Sequence, residues 1–136
     1  MATLSQTVAK TGRIVEKEVT LPTASGTVEA VSVPANSVVL AAGAVVTEAV
    51  AGSSAHVFDI SIGSSDIATA LNVQSASLGD ILVEASTPIA TTSADTVDVV
   101  STVTGTGTAG KVRIWALVLD MTAPTAADEV DRDQLA

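Results

Sequence analysis

Nearly every apolar side chain in this sequence is small and aliphatic, and that limits the fold more than any other feature. The 136 residues are 47% hydrophobic, yet they include no Cys, no Tyr, one Phe, one Trp and one His. The apolar positions are filled by Val, Ala, Ile and Leu, interleaved with Thr, Ser and Gly. Val, Ile and Thr lose χ1 freedom in helices and suit a pleated surface. A chain of this length fits one domain and can bury an independent core.

The apolar runs are short and evenly punctuated. Strands are expected over 13–21, 27–33, 38–47, 55–62, 81–85, 96–104 and 111–120. Turn residues separate them, among them Pro22, Ser25-Gly26, Pro34-Ala35-Asn36, Gly63-Ser64-Ser65 and Pro88. The expected fold is all-β, an antiparallel β-sandwich or jelly roll of about seven to eight strands with flexible N- and C-terminal arms. The arms are expected at 1–10 and 122–136, flanking a sandwich domain over 11–121. Residues 66–79 break the rhythm and read as a loop, with Asp66 heading one or two helical turns. Gly105 to Gly110 reads as a Gly-rich hairpin connection between the last two strands.

Alternation assigns faces. His56, Phe58, Ile60 and Ile62 share one face of a strand and point to a core, while Val57, Asp59, Ser61 and Gly63 point to solvent. Val97, Val99 and Val103 oppose Asp98, Thr102 and Thr104, and Ile114, Ala116 and Val118 oppose Arg113, Trp115, Leu117 and Leu119. Val38 to Val46 is apolar on both faces and calls for cover on both, from a second layer or a neighbouring subunit.

Charge narrows the partners. The net charge is -9, and the six basic residues are scattered. Phosphate backbones need clustered Lys and Arg, so no nucleic acid is expected. Anionic lipid repels such a surface, and Val38–Val46 is too short to span a bilayer, so no membrane is expected. The N-terminus lacks the basic and apolar regions of a signal peptide. A soluble protein used without secretion is the simplest reading. Without Cys there is no disulfide, thiol nucleophile or thiolate metal site.

Little else could carry chemistry. His56 has no second imidazole or Cys to pair with, and reads as a histidine at the rim of the core. Gly105-x-Gly107-x-x-Gly110 has the spelling of a dinucleotide fingerprint, but a strand-like segment follows where that motif needs a helix. Asp128, Glu129, Asp131 and Asp133 lack the spacing of a Ca²⁺ loop and read as a solvated acidic tail. Asp95 with Asp98, and Asp59 with Asp98, are carboxylate pairs of the kind any acidic β-protein contains. No Ser lies in a nucleophile motif. No catalytic residue, cofactor or metal ion is implied.

Trp115 admits two placements. On the outer face beside Arg113 it is an interface anchor, since Trp and Arg concentrate at binding hot spots. With the strand faces reversed it anchors the core together with Leu117 and Leu119. Trp115, Arg113, Leu4 in the N-terminal arm and Leu135 in the tail are the candidate interface residues.

Two stretches carry a resemblance. One is Val31-Ser32-Val33-Pro34-Ala35-Asn36-Ser37-Val38-Val39-Leu40, continuing through Val45 to Ala49. The other is Asp95-Thr96-Val97-Asp98-Val99, followed by Gly105 to Val118. Over residues 27–120 the pattern resembles small β-sandwich structural proteins of tailed bacteriophages. Residues 64–93 match no element of it. The resemblance implies a non-enzymatic virion component, in the first place a capsid decoration (cement) protein on the outer surface of the phage head. It further implies assembly in the host cytoplasm, contacts with the major capsid protein or other virion proteins, and a homotrimer. The alternative is a tail-fibre or other receptor-binding tail module, against which the scarcity of sugar-stacking aromatics speaks. A hydrolase on a sandwich scaffold lacks a constellation to support it.

Overall fold

The computed structural model describes residues 12–122. They form nine strands and no helix: β1 (Arg13–Thr20), β2 (Gly26–Val33), β3 (Ser37–Glu48), β4 (Ala55–Ile62), β5 (Ser65–Asn72), β6 (Ile81–Leu82), β7 (Ile89–Thr91), β8 (Asp95–Thr104) and β9 (Lys111–Asp120). All pairings are antiparallel. One sheet, sheet A, runs β1-β9-β3, with β6 and β7 both pairing with the far edge of β3. The other, sheet B, runs β2-β8-β4-β5. The expected β-sandwich is therefore the observed one.

Seven strands match the expected segments, most of them within a residue at each end. The two additions are β5 and β7. β5 replaces the expected loop and helical turn. Gly63 has φ 56, and Ser64 is not in the positive-φ region. With Ile62 paired to Ser65, that makes a two-residue type II′ hairpin, which wants Gly at its first central position. β5 buries Ile67, Ala68 and Leu71, a spacing of one and then three that imitates a helix. Two register shifts cause it: Ser61 pairs with Asp66 and Ile60 with Ala68, leaving Ile67 extra, and Phe58 pairs with Leu71, so Thr69 and Ala70 together oppose Asp59. Ala70 takes φ 55 there, and its N–H donates to the Asp59 carboxylate at 2.8 Å.

The expected β8–β9 hairpin is not formed. β8 lies in sheet B between β2 and β4, and β9 lies in sheet A between β1 and β3. Gly105 to Gly110 is thus an arch from one sheet to the other. It is fastened to the segment after β3: Thr108 N–H donates to Ala51 O at 2.8 Å, and Ser54 N–H donates to Thr104 O at 2.9 Å. Leu21 N–H donates to Gly110 O at 2.8 Å, tying in the end of β1. Most other connections also cross between sheets, so the orders β1-β9-β3 and β2-β8-β4 run in step.

The core lies between the sheets. Val39, Ala42, Ala44 and Val46 from β3 and Val112, Ile114, Ala116 and Val118 from β9 face Phe58, Ile60, Val97 and Val99 from sheet B, all essentially without solvent contact. Phe58 is the largest fully buried side chain. Ser61 departs from expectation: it has the parity of the outer face yet is buried. It is a small side chain in a strand flanked on both sides, by β5 and β8.

Candidate functional site

The sandwich presents two outer faces of different chemistry. Sheet B carries Glu29, Asp59, Asp66, Asp95 and Asp98 on its strands and no Lys or Arg. All four described cations, Arg13, Lys17, Lys111 and Arg113, lie on β1 and β9 of sheet A. Four acids accompany them on the strands of sheet A, Glu16, Glu18, Glu48 and Asp120. Sheet A is thus charge-balanced and sheet B is wholly acidic.

β9 settles the placement of Trp115. Its inward side chains are Val112, Ile114, Ala116 and Val118, so Arg113, Trp115, Leu117 and Leu119 occupy the outer face of sheet A. Register builds that face in rows. Leu119 pairs with Val38, which pairs with Ala90; Leu117 lies between Ile14 and Ala41; Trp115 lies between Glu16 and Gly43; Arg113 lies between Glu18 and Val45, which pairs with Ile81. One end of the face is therefore apolar. The other end is charged, with both of its cations paired, Arg113 with Glu16 at 3.2 Å and Lys111 with Glu48 at 3.7 Å, and with Glu18 beside them. Both pairs are exposed, so each is worth at most about 1 kcal/mol.

Trp115 is fitted to its neighbour. A Cβ added at Gly43 would stand 2.6 Å from Trp115 Cζ2 and 2.9 Å from the Leu82 carbonyl oxygen. The indole therefore lies over the bare backbone of β3, and a glycine is the residue that lets it. This is the sheet form of an aromatic covering a glycine on the adjacent strand.

The two apolar faces expected of Val38–Val46 are both real, but they differ in cover. Sheet B covers the inner one. The outer one stays half-open at Val38, Leu40, Ala41 and Val45. Around it stand Ile14 at 64% exposure and Ile81 at 67%. Leu78 and Val83, on the segments flanking β6, are exposed as well. Lys17 shares the inward parity of Val15 and Val19 yet is exposed. A charge in that position on the terminal strand β1 opposes edge-to-edge pairing.

The remaining candidates resolve simply. His56 is buried, with Nε2 3.3 Å from Ser101 Oγ. Burial pushes its pKa below the usual 6.5. It stands near the start of β4 on the inward side shared with Phe58 and Ile60. Asp59 and Asp98 share the outer face of sheet B on adjacent strands, two residues out of register. Each is held locally, Asp98 accepting from the Thr96 hydroxyl at 2.7 Å and Asp59 from Ala70 N–H. Among the described residues no three His, Asp or Glu side chains are grouped to hold a metal ion. The Gly105–Gly110 loop leads directly into β9, as its sequence implied. A groove of about 220 Å³ runs between β5 and the β6 segment, lined in part by Leu71, Asn72, Leu82 and Glu84. It is smaller than the cavities of roughly 300–1,000 Å³ that enclose small ligands. Leu4, Leu135 and the acidic tail lie outside the described residues.

Sequence reasoning singled out Trp115 and Arg113, which the fold brings to one face with an ion-pair partner and a glycine seat. It missed Ile14, Ala41, Gly43 and Ile81, because only strand order places them on the same face as Trp115.

No protein-family model matches the chain, and no curated protein matches it. Among solved structures, the fold is similar to a chain described as "Cyanophage Pam1 capsid asymmetric unit". The TM-score is 0.57 at 13% identity, over 88% of this chain and 91% of the other. At that identity the likeness is one of fold, and it spans nearly the whole of both chains.

Proposed function

We propose that this chain is a non-enzymatic structural protein of a tailed-phage virion, and within that class a capsid decoration protein on the outer surface of the head. The observation that carries the reading is the likeness in fold, over 88% of this chain, to a chain of a cyanophage capsid. The sequence resemblance to phage structural sandwiches, argued from different residues, supports it. So does the character of the molecule: a cysteine-free sandwich with an outer face that is apolar at one end and carries its two outward cations in ion pairs at the other. Shell proteins tile through broad surfaces and terminal segments rather than deep pockets. In this reading the segments 1–10 and 122–136 serve as arms toward the major capsid protein, and the subunits associate as a homotrimer.

The test is thermal. Purified chain is added to heads of the encoding phage, and shell melting is followed by scanning calorimetry. A raised shell transition is expected, because a ligand that binds only the assembled state stabilises it by mass action. An unchanged transition with full-length chain would overturn the decoration reading. Removal of residues 1–10 is expected to abolish attachment, and undiminished attachment would remove the N-terminal arm from the account.

A further inference from the structure

We propose that the outer face of sheet A is the surface on which a second copy of this chain docks. The inference rests on the self-association proposed above but not on its three-fold symmetry, because a face that meets its own like forms a two-fold pair. Three observations carry it.

The first is charge. Two copies meeting through sheet B would bring Glu29, Asp59 and Asp98 against their like, with no cation on that sheet to offset them. Like-charge juxtaposition opposes such contacts. On sheet A the outward cations are already neutralised inside the subunit, Arg113 by Glu16 and Lys111 by Glu48. Glu18 is the one outward acid on these strands left without an ion-pair partner, at the end away from the apolar rows, so this face meets its own copy with less like-charge repulsion than sheet B does.

The second is size. With strands about 4.8 Å apart and about 3.4 Å per residue, a face four strands wide and as long as the ten-residue β9 covers roughly 650 Å². Each partner in a stable interface buries about 800 Å², so the face with its rim is of the right order.

The third is composition. Ile14 and Ile81 are about two-thirds exposed at opposite edges of the face, and Trp115, Leu117 and Leu119 form a half-buried ridge between them. A central aromatic within an apolar patch, bordered by paired charges, is the anatomy of an interface core and rim.

Trp115 is the only tryptophan in the chain, so its emission reads the contact directly. The full-length protein is followed by light scattering and by tryptophan fluorescence across a dilution series. The expected result is a mass at a multiple of 13.5 kDa, with emission moving to longer wavelength as the assembly dissociates. Ile14→Asp and Ile81→Asp, at exposed positions the fold does not depend on, are expected to weaken association at least about tenfold. Thr102→Asp, on the outer face of sheet B, is expected to leave the mass unchanged.

A protein that stays monomeric at about 100 μM overturns the inference, since subunits built to associate do so far below that. So does an oligomer indifferent to Ile14→Asp and Ile81→Asp. A monomer with short-wavelength emission at every concentration, lengthened by removing residues 1–11 or 123–136, would show the chain's own segment on the face and overturn it too. Shell binding separates this failure from that of the functional reading. A monomer that binds heads sinks the self-docking face alone, and an oligomer that ignores heads sinks the decoration role alone.

Discussion

Trp115 and Gly43 behave as one unit, because the indole occupies the space a side chain on β3 would need. Gly43→Ala forces ring and strand apart against the fixed Leu82 carbonyl. The expected loss is about 1–3 kcal/mol in urea unfolding, with a shift in Trp115 emission. His56 is the titrating group of the core. Burial holds it below 6.5 when folded, so on acidification the unfolded chain takes up the proton first. Its contribution is complete above pH 6.5 and is lost as pH falls through the folded-state value. His56→Gln is therefore expected to flatten the stability profile below pH 6.5 relative to the parent, read by denaturant melts at a series of pH values. A parallel profile would place the acid sensitivity elsewhere. Ala70 sits at φ 55 in a bulge, where an L side chain is strained. Ala70→Gly is expected to raise stability by about 0.5 kcal/mol despite the added freedom of the unfolded chain. The inward role of His56 and Phe58 was legible from alternation, whereas the glycine seat of Trp115 was not. That seat depends on a residue 72 positions earlier in the chain, brought alongside by the β3–β9 pairing.

At the scale of elements, strand existence was legible and strand partnership was not. Alternation of side chains between two faces marks β4, β8 and β9 without reference to anything distant. β5 escaped because its two register shifts move Ile67, Ala68 and Leu71 off the period of two, although Gly63-Ser64 carried a hairpin signal. The arch between β8 and β9 escaped for a different reason. A Gly-rich connection serves equally to turn back within one sheet or to cross to the other, and the choice falls to which strands flank each member. The cysteine-free background makes this testable by crosslinking. Cysteines at Val57 and Thr102, register partners on β4 and β8, are expected to form a disulfide under mild oxidation. Cysteines at Thr102 and Arg113, which a hairpin would place opposite each other, are expected to remain free.

For the whole molecule the governing fact is segregation: all four described cations on one sheet, five carboxylates and no cation on the strands of the other. Net charge alone excluded polyanionic partners, but it averaged over this division, which only the folding of β1 and β9 into one sheet reveals. A molecule so divided has one face suited to close protein contact and one that keeps its distance from acidic surfaces. That asymmetry, with a fold similar to that of a capsid chain, is what supports the proposed virion role. The most direct measurement is co-sedimentation of the full-length protein with heads of the encoding phage, quantified over a concentration series. Saturable pelleting at a fixed number of copies per head is the expected result. Protein that remains in the supernatant at every concentration would contradict the account at its centre.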